Sequence, residues 1–383
     1  MVVAAMSPAA AAASPEPPLV CPPGTTQHRV FYADEYWCAR PDGTKHGPYR
    51  NANDPSREEG AYRDGKRHGW WRRWANGVLV DERRYDRDRE DGLTRTWSPA
   101  GVLLTSGVMS HGREVGLWRW WHANGRPQER GRYAHGERVG LWRSWHASGR
   151  RHLIAHYQRG RSESDRQEWD EDGELVEAGR YRGDARDGPW IVSQDQTLVG
   201  RGRYVRDRRE GRWAFTFEGR RTAVGSYRRG RREGAWTFYD FEGKRVEARG
   251  RYRRGLREGM WVVRDEREVA MAPCRKGQLH GRLVWRRQWE GASGLAEHEI
   301  VANYRHGSLE GWWTDHSPPG TRGPPEERGL YRFGELVRGD AFDVAEVLWL
   351  PDGHWANHFC EEGRYEGIQV FDDLLVGEDD DDT

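Results

Sequence analysis

Aliphatic residues are thin in this chain, lysine is thinner still, and no apolar run approaches the length of a membrane-spanning helix. Hydrophobic residues make up 36% of the 383 residues, and much of that share sits in 21 Trp and 15 Tyr, at a mean hydropathy of −1.02. Several two-layer cores would need more leucine, isoleucine and valine than this, yet the chain is too aromatic to be disordered. One aromatic-lined layer fits the composition better than the two or three ordinary domains that the length alone would suggest. Without a run of roughly 20 apolar residues, no transmembrane segment is expected. Lysine stands only at 45, 66, 244 and 276, so nearly all the basic residues are arginine. The formal net charge of +1 gives no global field to draw nucleic acid or membrane. Cys21, Cys38, Cys274 and Cys360 fall in no CxxC or CxxH spacing, which leaves no zinc pattern. No GxSxG, HExxH or GxGxxG occurs, and "GSYRRGR" at 225–231 has the glycine interval of a phosphate loop without its lysine and hydroxyl. Neither a catalytic constellation nor a cofactor is expected, and the chain reads as non-enzymatic.

What it does have is a repeat. With a tyrosine as position zero, "YRDGKRHGWWRRW" starts at Tyr62, "YAHGERVGLWRSW" at Tyr133 and "YRRGRREGAWTFY" at Tyr227, with further copies at Tyr204 and Tyr252. Weaker copies start at Arg40, Tyr85, Met109, Tyr157, Tyr181, Cys274, Tyr304 and Tyr331. From 62 to 274 the period is close to 23–24 residues, the mark of a repeat array. Glycine recurs at +3 and +7, tryptophan at +9, often another aromatic at +12, and a small residue at −2. Glycine at +3 suits a tight turn, which places a chain reversal between zero and +7. Because i and i+2 share a strand face, the −2 glycine lies beside the tyrosine and leaves a gap for an aromatic of the neighbouring strand. Each unit therefore reads as a β-hairpin with strands of about six residues, joined to the next by turns such as "ANG" 75–77 and "ASG" 147–149. The expected fold is all-β: an elongated, single-layer antiparallel meander of about a dozen stacked hairpins.

The units resemble the MORN repeat, and more closely its bacterial variant in YwqK-type antitoxin family proteins, whose units read like "YxxGxxxGxWxxWxxxG". The resemblance covers roughly 40–335 and departs at Ser164, in the shortened "WIVSQDQTLVG" 190–200, after 286 and around 317–327. It implies a hairpin-repeat ribbon and, by family label, an antitoxin or immunity role with a toxin-like protein partner.

The ends differ from the array. Residues 1–20 read as a disordered Ala/Pro-rich tail or the remnant of a signal peptide, 21–61 as a cap with the first unit, 62–335 as the array, 336–376 as a second cap with a hairpin turning at Asp352-Gly353, and 377–383 as an acidic tail. If the signal reading holds, the protein is exported, and an oxidising compartment would let Cys21 pair with Cys38. An extracytoplasmic location, periplasm or envelope, is favoured over the cytoplasm.

Two features could carry binding. The three-residue step from +9 to +12 places Trp74, Trp97, Trp121, Trp145, Trp169 and Tyr239 on the face opposite the +9 row, unless a bulge returns them to it. Charge is also segregated: residues 201–257 hold 18 Arg and one Lys against 7 acids, whereas 340–383 hold 14 acids against one Arg. Arg208, Arg209, Arg228, Arg229, Arg231, Arg253 and Arg254 form a candidate anion-binding strip, with a plain solvated face as the alternative. The equivalent pairs His111/His135 and His122/His146 lack a third metal ligand. A rigid ribbon gripping a partner protein is the leading expectation, and an envelope module for anionic lipid or polysaccharide the second. Acids within the strip, such as Asp207, Glu210 and Glu233, weigh against nucleic acid.

Overall fold

The computed structural model describes residues 17–339 and Cys360, apart from 54, 195–196, 265, 292–293, 317–325 and 334. The expected hairpin around Asp352-Gly353 and the tail 377–383 lie outside the described residues. Almost everything described is strand, in one open antiparallel sheet, and the helical content is the short turn Phe31–Ala33. The chain divides into two compact units, residues 1–151 with 157–160, and residues 152–156 with 161–383.

One hairpin shows how the repeat folds. Strand Pro127–Ala134 turns at His135 and Gly136 into strand Glu137–Trp145. Both turn residues are left-handed, with φ of 54° and 86°, which is the I′ geometry whose twist matches that of the flanking strands. The +7 glycine is not part of this reversal. Gly140, with φ of 67°, sits inside the second strand, where the register slips between Arg130 and Arg132. The slip is a bulge, and it lets the strand continue. Most strands of the array accordingly run eight to ten residues instead of six.

The packed face is built from cross-strand rows. In one row each +9 tryptophan alternates with the small −2 residues of its own and the following unit, as in Trp190 opposite Gly179 and Gly202. The rings lie flat across the glycines. A Cβ placed on Gly131 would come within 2.0 Å of the Trp142 ring, and one on Gly225 within 2.0 Å of Trp236. Backbone and ring are further joined because the indole N–H donates to the carbonyl of the residue after the glycine, as Trp213 does to Arg203 (3.2 Å) and Trp261 to Arg251 (3.1 Å). Tyrosines close the row edge-on, with ring centroids 5.0 Å apart for Tyr133 and Trp142. The +5 arginine caps both rings, as Arg138 does over Trp142 at 4.0 Å and Tyr157 at 5.4 Å. At Tyr85 the pair is inverted. Arg83 replaces the glycine, Thr94 replaces the tryptophan, and the two stand opposite each other, so the large partner has moved to the other strand. Asp81 and Glu90 hold that guanidinium.

The units differ in the next row. In the second unit Phe215, Phe238, Val263 and Trp285 stand opposite Gly200, Ala223, Ala248 and Ala270, and the aromatic members are almost fully buried. In the first unit the corresponding positions include Arg73, Asp81, Thr96, Glu129 and Ser144. Disulfides join Cys21 to Cys38 (Cα–Cα 5.6 Å) in the first unit and Cys274 to Cys360 (5.7 Å) in the second.

Candidate interaction faces

The +9 to +12 stretch fixes which side each residue faces. Trp118 stacks on Trp120, Trp213 on Phe215 and Trp236 on Phe238, so +9 and +11 share the packed face. Positions +8, +10 and +12 then lie on the other side. A bulge does fall at +12, but its extra residue is on the neighbouring strand, as where Trp120 pairs with Glu129 and Trp121 with Pro127. Trp74, Trp97, Trp121 and Trp145 in the first unit, and Trp169 and Tyr239 in the second, thus stand on the opposite face, each half-buried. Arginines lie on several of the rings: Arg57 on Trp74, Arg130 on Trp145 and Arg221 on Tyr239, at 5.3–5.4 Å.

On the first unit this face carries a second apolar row that the repeat pattern alone did not bring out. Position +8 is Trp70, Leu93, Leu117 and Leu141, and Val108 pairs with Leu93 across the strands. Trp70 is 37% exposed and Val108 39%. Between the two apolar rows runs a polar one, in which Glu82 takes Arg72 at 2.8 Å and Arg95 at 3.6 Å. The signal was in the sequence: "GWW", "GLT", "GLW" and "GLW" in the first unit give way to "GPW", "GRW", "GAW" and "GMW" in the second. The second unit has a shallow depression of about 610 Å³ on the same side, lined by Asp165, Gln167, Arg180, Pro189, Ile191 and Arg201 among others.

The arginine strip is corrected at one position. Arg209 is 5% exposed and lies over the rings of Trp213 (5.2 Å) and Tyr227 (5.5 Å), so it belongs to the packed face. Spacing hid this, because +4 and +5 are both arginine in that unit and only +5 shares the face of the tyrosine. Arg208, Arg228, Arg229, Arg231, Arg253 and Arg254 are exposed at or beside the turns. The interleaved acids have local tasks. Glu210 accepts the backbone N–H of Arg229 and Glu233 that of Arg254, both at 2.8 Å, and Asp207 accepts that of Arg186 at 2.7 Å.

His122 Nε2 lies 2.8 Å from the Trp145 carbonyl, and His111 faces Asp91 at 3.3 Å. Among the described residues no three potential metal ligands come together. Comparison of the chain with protein-family models and with curated proteins finds no match. The resemblance to MORN repeats accordingly rests on the repeat pattern alone.

Proposed function

We propose that the protein is a non-catalytic repeat scaffold that grips a partner protein through the non-packed face of its first unit. The observation that carries this reading is the pair of apolar rows there, Trp70, Leu93, Leu117 and Leu141 beside Trp74, Trp97, Trp121 and Trp145, on the side of the sheet opposite the buried tryptophan row. Half-exposed tryptophans and leucines flanking a band of Arg–Glu pairs combine the aromatic and arginine content typical of an interface with groups that fix register. The family resemblance supplies a toxin-like protein as the partner class and an antitoxin or immunity role. The two disulfides support an extracytoplasmic site of action.

The test is affinity capture from the native cell with the unaltered chain, with Leu117→Asp, and with Met260→Ser, which alters the same side of the second unit. A protein held by the first and third baits and lost from Leu117→Asp supports the reading, provided circular dichroism shows that variant folded. Equal capture by all three sinks it. The exposed arginine turns favour a second reading, an envelope module for anionic lipid. Flotation with phosphatidylglycerol vesicles, but not with phosphatidylcholine vesicles, would support that instead.

A further inference from the structure

Beyond that face, the turn edge of the second unit is a surface in its own right. Three consecutive hairpins there present two adjacent cations at +1 and +2: Arg228 with Arg229, Arg253 with Arg254, and Arg275 with Lys276. All six side chains are exposed, and none makes an ion pair among the described residues. The acids closest in sequence do not reach outward to them. Glu210, Glu233 and Glu258 are each turned onto the backbone N–H of the next turn, at Arg229, Arg254 and Lys276, all at 2.8 Å. Successive turns are two strands apart, so the cation pairs recur about every 9.6 Å, a spacing at which their fields add across one Debye length of about 10 Å.

The chain carries its own counterpart. Residues 361–382 hold ten acids and one arginine. They follow directly on Cys360, which is bonded to Cys274 and buried. The Cys360 carbonyl oxygen lies 3.5 Å from where a Cβ on Gly277 would stand, and Gly277 is the turn glycine next to Lys276. The acidic segment therefore starts at the basic edge. By random-coil dimensions, about 20 residues of chain span roughly 25 Å, enough to pass the turns at Arg254 and Arg229, which lie about 10 and 20 Å along the edge. We propose that the basic turn edge of the second unit is an acidic-peptide site and that residues 361–382 of this chain occupy it, held there by the Cys274–Cys360 bond. Tethering at this point raises the local concentration of the acids to the millimolar range, so a site too weak to capture a free acidic peptide is filled from within.

The probe is a fluorescein-labelled peptide with the sequence of residues 372–382, titrated by anisotropy against the full chain and against the chain lacking 372–383. At low salt the shortened chain should bind the peptide at least tenfold more tightly than the full chain, and the difference should vanish near 0.5 M salt, where screening falls well below 10 Å. In the shortened chain, Arg228→Glu with Arg229→Glu should weaken the peptide at least tenfold, while Arg113→Glu, at a strand start beside a turn of the first unit, should not. Circular dichroism and a melting curve establish that each variant is folded. Equal affinity of full and shortened chains at low salt overturns the occupancy. Peptide binding that ignores the double charge reversal overturns the site.

Discussion

At the scale of the residue, the fold rests on a size exchange between glycine and tryptophan. Gly225 has ordinary strand geometry, but a Cβ there would meet the Trp236 ring at 2.0 Å. Gly225→Ala should therefore cost about 1–3 kcal/mol by overpacking, read as a lower guanidinium midpoint. Shrinking the ring with Trp236→Leu should return part of that loss in the double variant, a coupling of about 0.5–3 kcal/mol. Additive losses would show that ring and glycine do not share one site. Arg83 opposite Thr94 is the same exchange made within the chain itself. The −2 glycine and the ring that covers it were legible in the sequence because period-2 alternation puts both on one face. The indole hydrogen bonds and the arginine caps were not, since spacing alone does not tell +4 from +5 once a bulge follows. The same burial sets a pH limit. Tyr49 is pushed up to about 12, by burial first and the nearby Glu35 second, and Tyr181 to about 12, by burial and then Glu177. Burial also raises Tyr227 and Tyr304. For a phenol whose folded pKa exceeds the unfolded value near 10, the protonated form is the one the fold favours. Its stabilisation is whole below pH 10 and fades between 10 and 12. Tryptophan fluorescence should report base unfolding in that window, and a midpoint that stays flat from pH 9 to 12 would contradict it.

At the scale of the element, the hairpin is specified by its turn and its bulge. The +2 residue is left-handed at Asp64, His111, His135, Arg159, Arg229 and Arg254, and only a few of these residue types tolerate that region well. Asparagine followed by glycine is the preferred I′ pair. His135→Asn should thus stabilise by about 0.5–1 kcal/mol by easing the left-handed strain, measured against His152→Asn in the body of a strand as a control. Loss of stability at position 135 would mean that the imidazole contributes a contact the turn geometry does not show. The sequence pattern gave the reversal correctly as lying before +7, with glycine at +3. It did not separate the turn from the bulge, because both select glycine for positive φ and only the register distinguishes them. Expected strands of six residues became eight to ten for the same reason. The opposite face was legible in part: the +12 aromatics follow from alternation, whereas the +8 row of Trp70, Leu93, Leu117 and Leu141 emerges only when the first unit is compared with the second.

At the scale of the whole molecule, a repeat array gains stability from neighbour contacts, and its ends are where it frays. The first disulfide acts at such a place, and the second ties a later segment to a strand inside the array. Strand Thr26–Val30 pairs with Glu35–Ala39 at the start of the sheet, and Cys21, just before it, is bonded to Cys38 within the second of those strands. Cys360 returns from 86 residues away to Cys274, which stands at the tyrosine position of its unit, where Tyr252 and Tyr304 stand in the units on either side. In the chain-entropy account, a closed loop of the size of the 17-residue separation contributes about 3 kcal/mol and one of the 86-residue separation about 4.5 kcal/mol. Serine at both members of each pair removes one bond at a time without leaving a free thiol. Cys274→Ser with Cys360→Ser should lower the guanidinium midpoint more than Cys21→Ser with Cys38→Ser, and adding reductant should move the unaltered chain below either variant. Cys274 also packs with Leu279 and Leu283 in the core of the second unit, so its replacement loses burial as well as a bond. The comparison that isolates the second bond is the Cys21→Ser with Cys38→Ser variant with and without reductant, because there only the Cys274–Cys360 bond is left to break and its side chains stay in place. A midpoint that does not move on reduction would mean that the second unit holds its C-terminal segment by packing alone.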